Sequence, residues 1–487
     1  MLPYKSLMQV DRNASVSLHI QVCNMFISLI TNGTLQPADI LPGSRVLAQL
    51  IGINRNTVKL AYEELVSQGW AESIERKGVF VLSKLPVLSK PVVPEHGKHK
   101  PSQEAFIWTN RFENAWITKG PEKMMLTIDG GFPDVRLAPI DLLMREYRSL
   151  SRRLHGKTFL KYGSSKGSEN LRAAICNYLS HTRGLTVPVE NIIITKGSQM
   201  GIYLAAQLLL NPSDNVAVGL SNYVLADDTF KYAGANLVRI PVDGNGMDID
   251  HLETVLQHTK IKAVYIIPHH HYPTTVTMST ERRLKLLKLA KEYRFAIIED
   301  DYDFDFHYNN KPYLPLASID HNQNVIYIGS VTKTFAPALR IGFMTGPSAF
   351  VDAAAAFREL IDKQGDTVLE EAFAVLFNNG EMDRYFRKSL KIYRQRRNLL
   401  CQILQSDFSE HITFNVPEGG LAVWTNFSEQ VNLVKLVEDA AKKRLQIDDA
   451  SFYRNESFAV NGTRMGFASL NENEMVEALS ILKKVLN

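Results

Sequence analysis

The 487-residue chain is 45% hydrophobic and 22% charged with a formal net charge of +4, which sets aside a disordered or fibrous protein and leaves room for several globular units. So mild a positive charge does not announce a nucleic-acid binder, and any such face must be local. Three cysteines, Cys23, Cys176 and Cys401, form no motif and suggest a reduced compartment, while the lack of a signal peptide or long apolar run points to the cytoplasm.

From the amino terminus, Ser17 to Gly33 reads as a helix, with Leu18, Val22, Phe26, Leu29 and Ile30 at helical spacing and Gly33 as a stop. Ser44 is expected to cap a short helix to Leu50, Gly52 to make a turn, and Asn54 to cap a second helix reaching about Gln68. Between Gly43 and Tyr62 the charged residues are Arg45, Arg55 and Lys59, with no acid among them. Asn54, Asn56 and Thr57 gather where a recognition helix would start and meet base edges and phosphates. Val58, Leu65 and Val66 are expected in the core. After Gly69, WAESIERKGVFVL predicts two short strands around a Lys77-Gly78 turn, a wing able to touch DNA. A generic three-helix unit or a protein-binding winged helix is the plainer alternative. The segment from Leu41 resembles the GntR-type winged helix, whose LPSSRxLAxxLGVSRNTVxxAYExL pattern it follows at most positions.

Residues 83–121 carry Pro86, Pro91, Pro94 and Pro101 and read as a semi-rigid linker, with the apolar residues near Phe106 to Trp116 expected to dock on the following domain.

Further on, the apolar run Phe295 to Ile298 ends in Glu299, Asp300 and Asp301, the pattern of a buried parallel strand delivering acids at its carboxyl end. A solvated charge run or a magnesium-binding cluster would read the same way in isolation. About thirty residues later, a normal βαβ step, comes YIGSVTKTFAPALRIG, which places Lys333 between Ser330 and Arg340. Pyridoxal phosphate needs an amine for a Schiff base, donors for its phosphate and a carboxylate for its ring nitrogen. Lys333, the pair Ser330 and Arg340, and Asp300 supply those three things. Three consecutive histidines, His269 to His271, invite a metal reading, but neighbours on an extended strand point to opposite faces, so no metal is expected.

These motifs, with YGSSKGSENLRAAICNYLSHTRG (Tyr162 to Gly184) and ITKGSQMGIYL (Ile194 to Leu204), resemble in order those of fold-type I, class I/II aminotransferases. The resemblance implies that Lys333 holds pyridoxal 5'-phosphate as a Schiff base, Asp300 pairs with the pyridine nitrogen, Tyr302 faces the ring hydroxyl and Tyr223 stacks on the ring. Ser198, Gln199, Ser330 and Arg340 would hold the phosphate, and Tyr162 would reach the phosphate in the other subunit of a dimer. Arg464 would clamp a substrate or effector carboxylate. Where aminotransferases read NPTG, this chain reads HHHYPTT: Tyr272 and Thr275 depart from the pattern, and His270 aligns with the histidine of an HQFPTG variant found in a regulatory branch, which implies a cofactor-binding place for it.

A GntR-type head at 1–82, a linker at 83–121 and an aminotransferase-like body at 122–487 together resemble the MocR/GabR family of bacterial transcription regulators. The implied fold is a winged helix-turn-helix joined to an α/β domain with a mainly parallel seven-stranded sheet and a small C-terminal α+β portion. The resemblance further implies a head-to-tail homodimer, operator DNA as partner, and an amine, an amino acid or pyridoxal phosphate as effector. A working aminotransferase that carries a DNA-binding head is the alternative, and a DNA-binding protein with a dead cofactor site is a third.

Overall fold

The computed structural model describes residues 2–85, 126–152, 155–308, 313–320, 323–448, 450, 453 and 460–486. Most of the expected linker, including Phe106 to Trp116, lies outside these. The chain divides into two units, Met1–Arg111 and Phe112–Asn487.

In the first unit, α1 (Tyr4–Leu7) and α2 (Leu18–Thr31) precede the pair α3 (Ser44–Ile51) and α4 (Arg55–Ser67). Val22, Phe26, Leu47, Val58, Ala61 and Leu65 are wholly buried and make one apolar core, so the helices are held by the stripe each turns inward. Gly52 ends α3 in the left-handed conformation, which a residue without Cβ adopts without strain, and Asn54 caps α4 by accepting from the Asn56 N–H at 2.8 Å. Two expectations fail here. Ser44 is the first residue of α3 rather than its cap, and its hydroxyl faces Arg55 Nε at 3.4 Å. Val66 is 36% exposed, because the buried stripe of α4 is already completed by Val58, Ala61, Tyr62 and Leu65. Strands β1 (Ala71–Ile74) and β2 (Gly78–Val81) pair antiparallel, and Ile40 bridges to Phe80.

The second unit is built on a sheet of seven strands: β4 (Ile192–Thr195), β5 (Asn215–Gly219), β6 (Asn236–Ile240), β9 (Ile261–Ile266), β10 (Ala296–Asp301), β11 (Val325–Ser330) and β12 (Gly342–Thr345). Their spatial order is β4-β12-β11-β10-β9-β5-β6. Only β12 runs antiparallel to its neighbours, so the expected mainly parallel sheet is present. Alternate residues serve opposite faces. Tyr265, Ile298 and Ile328 join one buried cluster with the helices α7 (Ser198–Leu209) and α8 (Val224–Tyr232), while Val264, Ile266 and Ile297 join another on the far side. Before α7 come α5 (Ile140–Arg152) and α6 (Glu169–Arg183); a hairpin of β7 (Val242–Asp243) and β8 (Gly246–Met247) follows β6.

The smaller portion contains an antiparallel sheet of β13 (Ile412–Phe414), β14 (Ala422–Phe427) and β16 (Gly462–Gly466). It is not wholly C-terminal. The strand β3 (Leu126–Ile128) pairs parallel with β15 (Leu445–Ile447), so the start of the second unit is woven into its end. No helix among the described residues is long and apolar enough to cross a membrane.

Candidate functional sites

Parallel strands end their backbone hydrogen-bonding at the carboxyl edge, and side chains from successive loops converge there. β10 delivers Glu299, Asp300 and Asp301 to that edge, and β11 leads to Lys333. Asp300 is buried and accepts from the Tyr265 hydroxyl at 2.8 Å through Oδ2, while its Oδ1 has no partner. Burial pushes its carboxyl up to about 7 against the opposing Tyr265 bond. Its neighbours are spoken for: Glu299 accepts the backbone N–H groups of Leu316 and Ala317, and Asp301 accepts the Tyr327 hydroxyl at 2.6 Å.

Lys333 follows a turn in which its own N–H donates to Ser330 Oγ at 3.0 Å. Its ammonium lies 4.1 Å from the centre of the Phe132 ring. Burial first, then the Arg464 charge, lowers Lys333 to about 8, opposed by Asp129, Asp303 and Asp300. An amine near neutrality is the nucleophilic form a carbonyl requires.

The start of α7 presents Ser198 and Gln199 beside Gly197, whose φ of 75° suits glycine. A Cβ on Gly197 would lie 2.5 Å from Arg340 Nη2, so the arginine sits directly over this helix start, anchored to the Lys196 carbonyl at 2.8 Å. The N–H groups of a helix N-terminus and a guanidinium at one point make an anion site. Gln199 joins it only by its backbone. Its side chain donates to Thr229 Oγ1 at 2.8 Å and to the Leu225 carbonyl at 3.3 Å.

Tyr223 caps α8 and meets Tyr272 edge-on at 5.4 Å. Tyr302 donates to the His270 carbonyl at 3.0 Å and receives Arg464 Nη2 at 3.4 Å. Arg464, 2% exposed, is also bonded to the Gly130 and Pro273 carbonyls and lies over the Tyr272 ring at 4.7 Å. Tyr162 is 80% exposed.

The histidine run departs from expectation. It is not an extended strand, since His270 has φ of 44°, and all three rings are buried. Each has its own acceptor or donor: His269 the Tyr313 carbonyl, His270 Asp303 Oδ1, and His271 Thr274 Oγ1, each at 2.8 Å. The His270 ring is therefore turned to Asp303, and only its carbonyl reaches Tyr302. No group of three histidine, cysteine or acidic side chains among the described residues is arranged to hold a metal.

Sequence reasoning passed over Asp129, Gly130, Gly131, Phe132, Tyr265 and Asp303. The DGGFPD motif was the available signal for the first four. Gly131 has φ of 103°, and Asp129 accepts the Gly131 and Phe132 N–H groups at 2.8 and 2.9 Å, turning the chain so that Phe132 meets Lys333.

In the first unit, Arg45, Asn54, Arg55, Asn56 and Lys59 are exposed and Thr57 half-exposed, all at the starts of α3 and α4 or one turn along. The wing turns at Glu75, Arg76 and Lys77, with Gly78 opening β2, so Arg76, at φ of 62°, is the apex residue the sequence reading missed.

Comparison with known proteins returns the same division. Residues 132–482 match Aminotransferase class I and II, and residues 21–81 match Bacterial regulatory proteins, gntR family. The chain is 25% identical over 482 residues to the "Probable rhizopine catabolism regulatory protein MocR" of Rhizobium meliloti, covering 98% of this chain and 95% of that one. It is 27% identical over 367 residues to "Aromatic-amino-acid aminotransferase 1" of Thermococcus litoralis, covering 74% and 88%. Among solved structures, kynurenine aminotransferase of Pyrococcus horikoshii in complex with PMP superposes with a TM-score of 0.69 at 27% identity, covering 74% of this chain and 91% of that one.

Proposed function

The chain belongs to the aminotransferase class I and II family and carries a GntR-type DNA-binding head, which makes it a helix-turn-helix transcriptional regulator with a pyridoxal-phosphate-using domain; we propose that this domain is its sensor for an amino compound or for the cofactor itself. The domain borders are those of the sequence reading: head 1–82, linker 83–121, body 122–487.

The observation that carries the cofactor assignment is the partnerless, buried Asp300 Oδ1, a carboxylate oxygen at a strand edge shared with Lys333. A buried acceptor is costly unless bonded, and a protonated ring nitrogen would satisfy it. When bound, pyridoxal phosphate supplies an aldehyde and a ring that withdraws electrons. The chain's residues do the rest. Lys333 offers the amine, and its lowered basicity keeps that amine available near neutral pH. Arg340, Ser330 and the N–H groups of Ser198 and Gln199 hold the phosphate. Tyr302 faces the ring hydroxyl, Tyr223 and Tyr272 wall the ring, and Arg464 receives the effector's carboxylate with its remaining N–H donors. The exposed Tyr162 reaches a second subunit, so the working unit is a homodimer, arranged head-to-tail. In each head, Arg55, Asn56 and Lys59 at the start of the recognition helix α4 and Arg45 at the start of α3 meet DNA, with Lys77 and Gly78 on the wing.

An effector can change DNA binding only if it favours one of two states. The test titrates candidate amines and amino acids into the holoprotein while following visible absorbance and operator affinity together. The sensor reading expects both to move with one dissociation constant. A spectrum that changes while DNA affinity stays constant overturns it, and sustained turnover with a keto acid acceptor would establish the aminotransferase reading instead.

A further inference from the structure

Asp300 has one hydrogen-bond donor among the described residues, the Tyr265 hydroxyl at 2.8 Å from Oδ2. Tyr265 stands on β9 opposite Ile298 of β10, so Asp300, two residues on, projects from the same sheet face. The tyrosine is wholly buried, and Phe230 packs edge-on against it at 5.5 Å. This leaves the carboxylate with one oxygen bound from behind and the other, Oδ1, without a partner. Rotation of the carboxylate would forfeit its only bond.

We propose that Tyr265 is a positioning residue for the cofactor ring, presenting Asp300 Oδ1 to the ring nitrogen and holding the carboxylate in its anionic form. A neutral donor suits this task. Hydrogen bonding to the charged form favours it, yet a hydroxyl carries no charge of its own, so the negative charge stays available for the protonated ring. A lysine or arginine at 265 would form the ion pair in the ring's place. Burial drives Asp300 toward its acid form and the Tyr265 bond opposes this, so removal of the hydroxyl shifts the group further toward the acid.

The proposal rests on the cofactor reading above, and the experiment separates the two. Dissociation constants are measured by equilibrium dialysis for pyridoxal phosphate and for an analogue whose ring nitrogen is replaced by C–H, on wild type and Tyr265→Phe, across pH. Tyr265→Phe is expected to weaken pyridoxal phosphate about 10-fold, the scale of a lost hydrogen bond to a charged group. It leaves the analogue unchanged and moves the acid midpoint of cofactor loss upward. A 3,5-difluorotyrosine at 265, with the same shape and a stronger donor, moves that midpoint downward and keeps the test open if Tyr265→Phe does not fold. Equal weakening of both ligands, or no weakening of either, overturns the positioning role. A wild type without lysine-dependent absorbance overturns the cofactor reading, and this proposal with it.

Discussion

In the head, Arg45, Arg55, Asn56 and Lys59 stand on the surface of helices whose apolar sides are already buried, whereas in the large unit Asp300 and Arg464 are themselves part of the interior. The head can therefore lose a functional side chain without opening a cavity. Asp300 and Arg464 cannot be lost so freely, because each also closes hydrogen bonds inside the fold. Arg464 shows this most plainly: its three described acceptors are two backbone carbonyls and a tyrosine hydroxyl, so its truncation leaves all three short of a donor. A substitution of a buried body residue tests chemistry and stability at once, while one of an exposed head residue such as Lys59 tests mainly binding.

Five measurements press on that contrast. Lys333→Ala should abolish lysine-dependent visible absorbance altogether, and its retention would break the cofactor assignment. Asp300→Asn should weaken cofactor binding by about 100-fold, roughly 3 kcal/mol, by removing the charged partner of the ring. The same pair of proteins carries a pH signature. Asp300 is raised to about 7 in the fold, so the native apoprotein binds a proton that the unfolded chain has released. Its contribution to stability is thus full below about pH 4 and is lost as pH rises through about 7. The Tm of apo wild type relative to apo Asp300→Asn should fall between about pH 4 and 7 and level off above, and a flat difference throughout would contradict the burial of that carboxyl.

On the exposed side, Arg55→Ala should weaken operator binding about 10-fold and lower the slope of log affinity against log salt by about 1, with Tm unchanged. A lost Tm with an unchanged salt slope would make Arg55 a structural residue. The smallest effect separates two valines on one helix. Val58→Ala should cost about 2 kcal/mol of stability and Val66→Ala under about 0.5, as read by denaturant unfolding.

Legibility followed the range of the interactions involved. The head was readable almost whole, since helix periodicity, Gly52 at a turn and Asn54 at a cap are local rules. Its failures were local too: Ser44 is one residue inside its helix, and Val66 lies beyond an apolar stripe that four other residues complete. In the body, Lys333, Asp300 and Arg340 stood out because family motifs surround them. Tyr265 did not, because an aromatic residue inside an apolar strand looks like core until the neighbouring strand brings a carboxylate to its hydroxyl. His270 was assigned to the cofactor by alignment, yet a left-handed backbone turns its ring to Asp303.

By itself, the sequence determined the two-unit organisation, the winged helix and the mainly parallel sheet, since each is written in short-range periodicity or a contiguous motif. Only the tertiary structure decided which side chains share the pocket. The DGGFPD turn near residue 130 reaches Arg464 and Lys333 across hundreds of residues, and Tyr265 reaches Asp300 across adjacent parallel strands. Strand order and register create those contacts, and neither is visible in the spacing of residues along one chain.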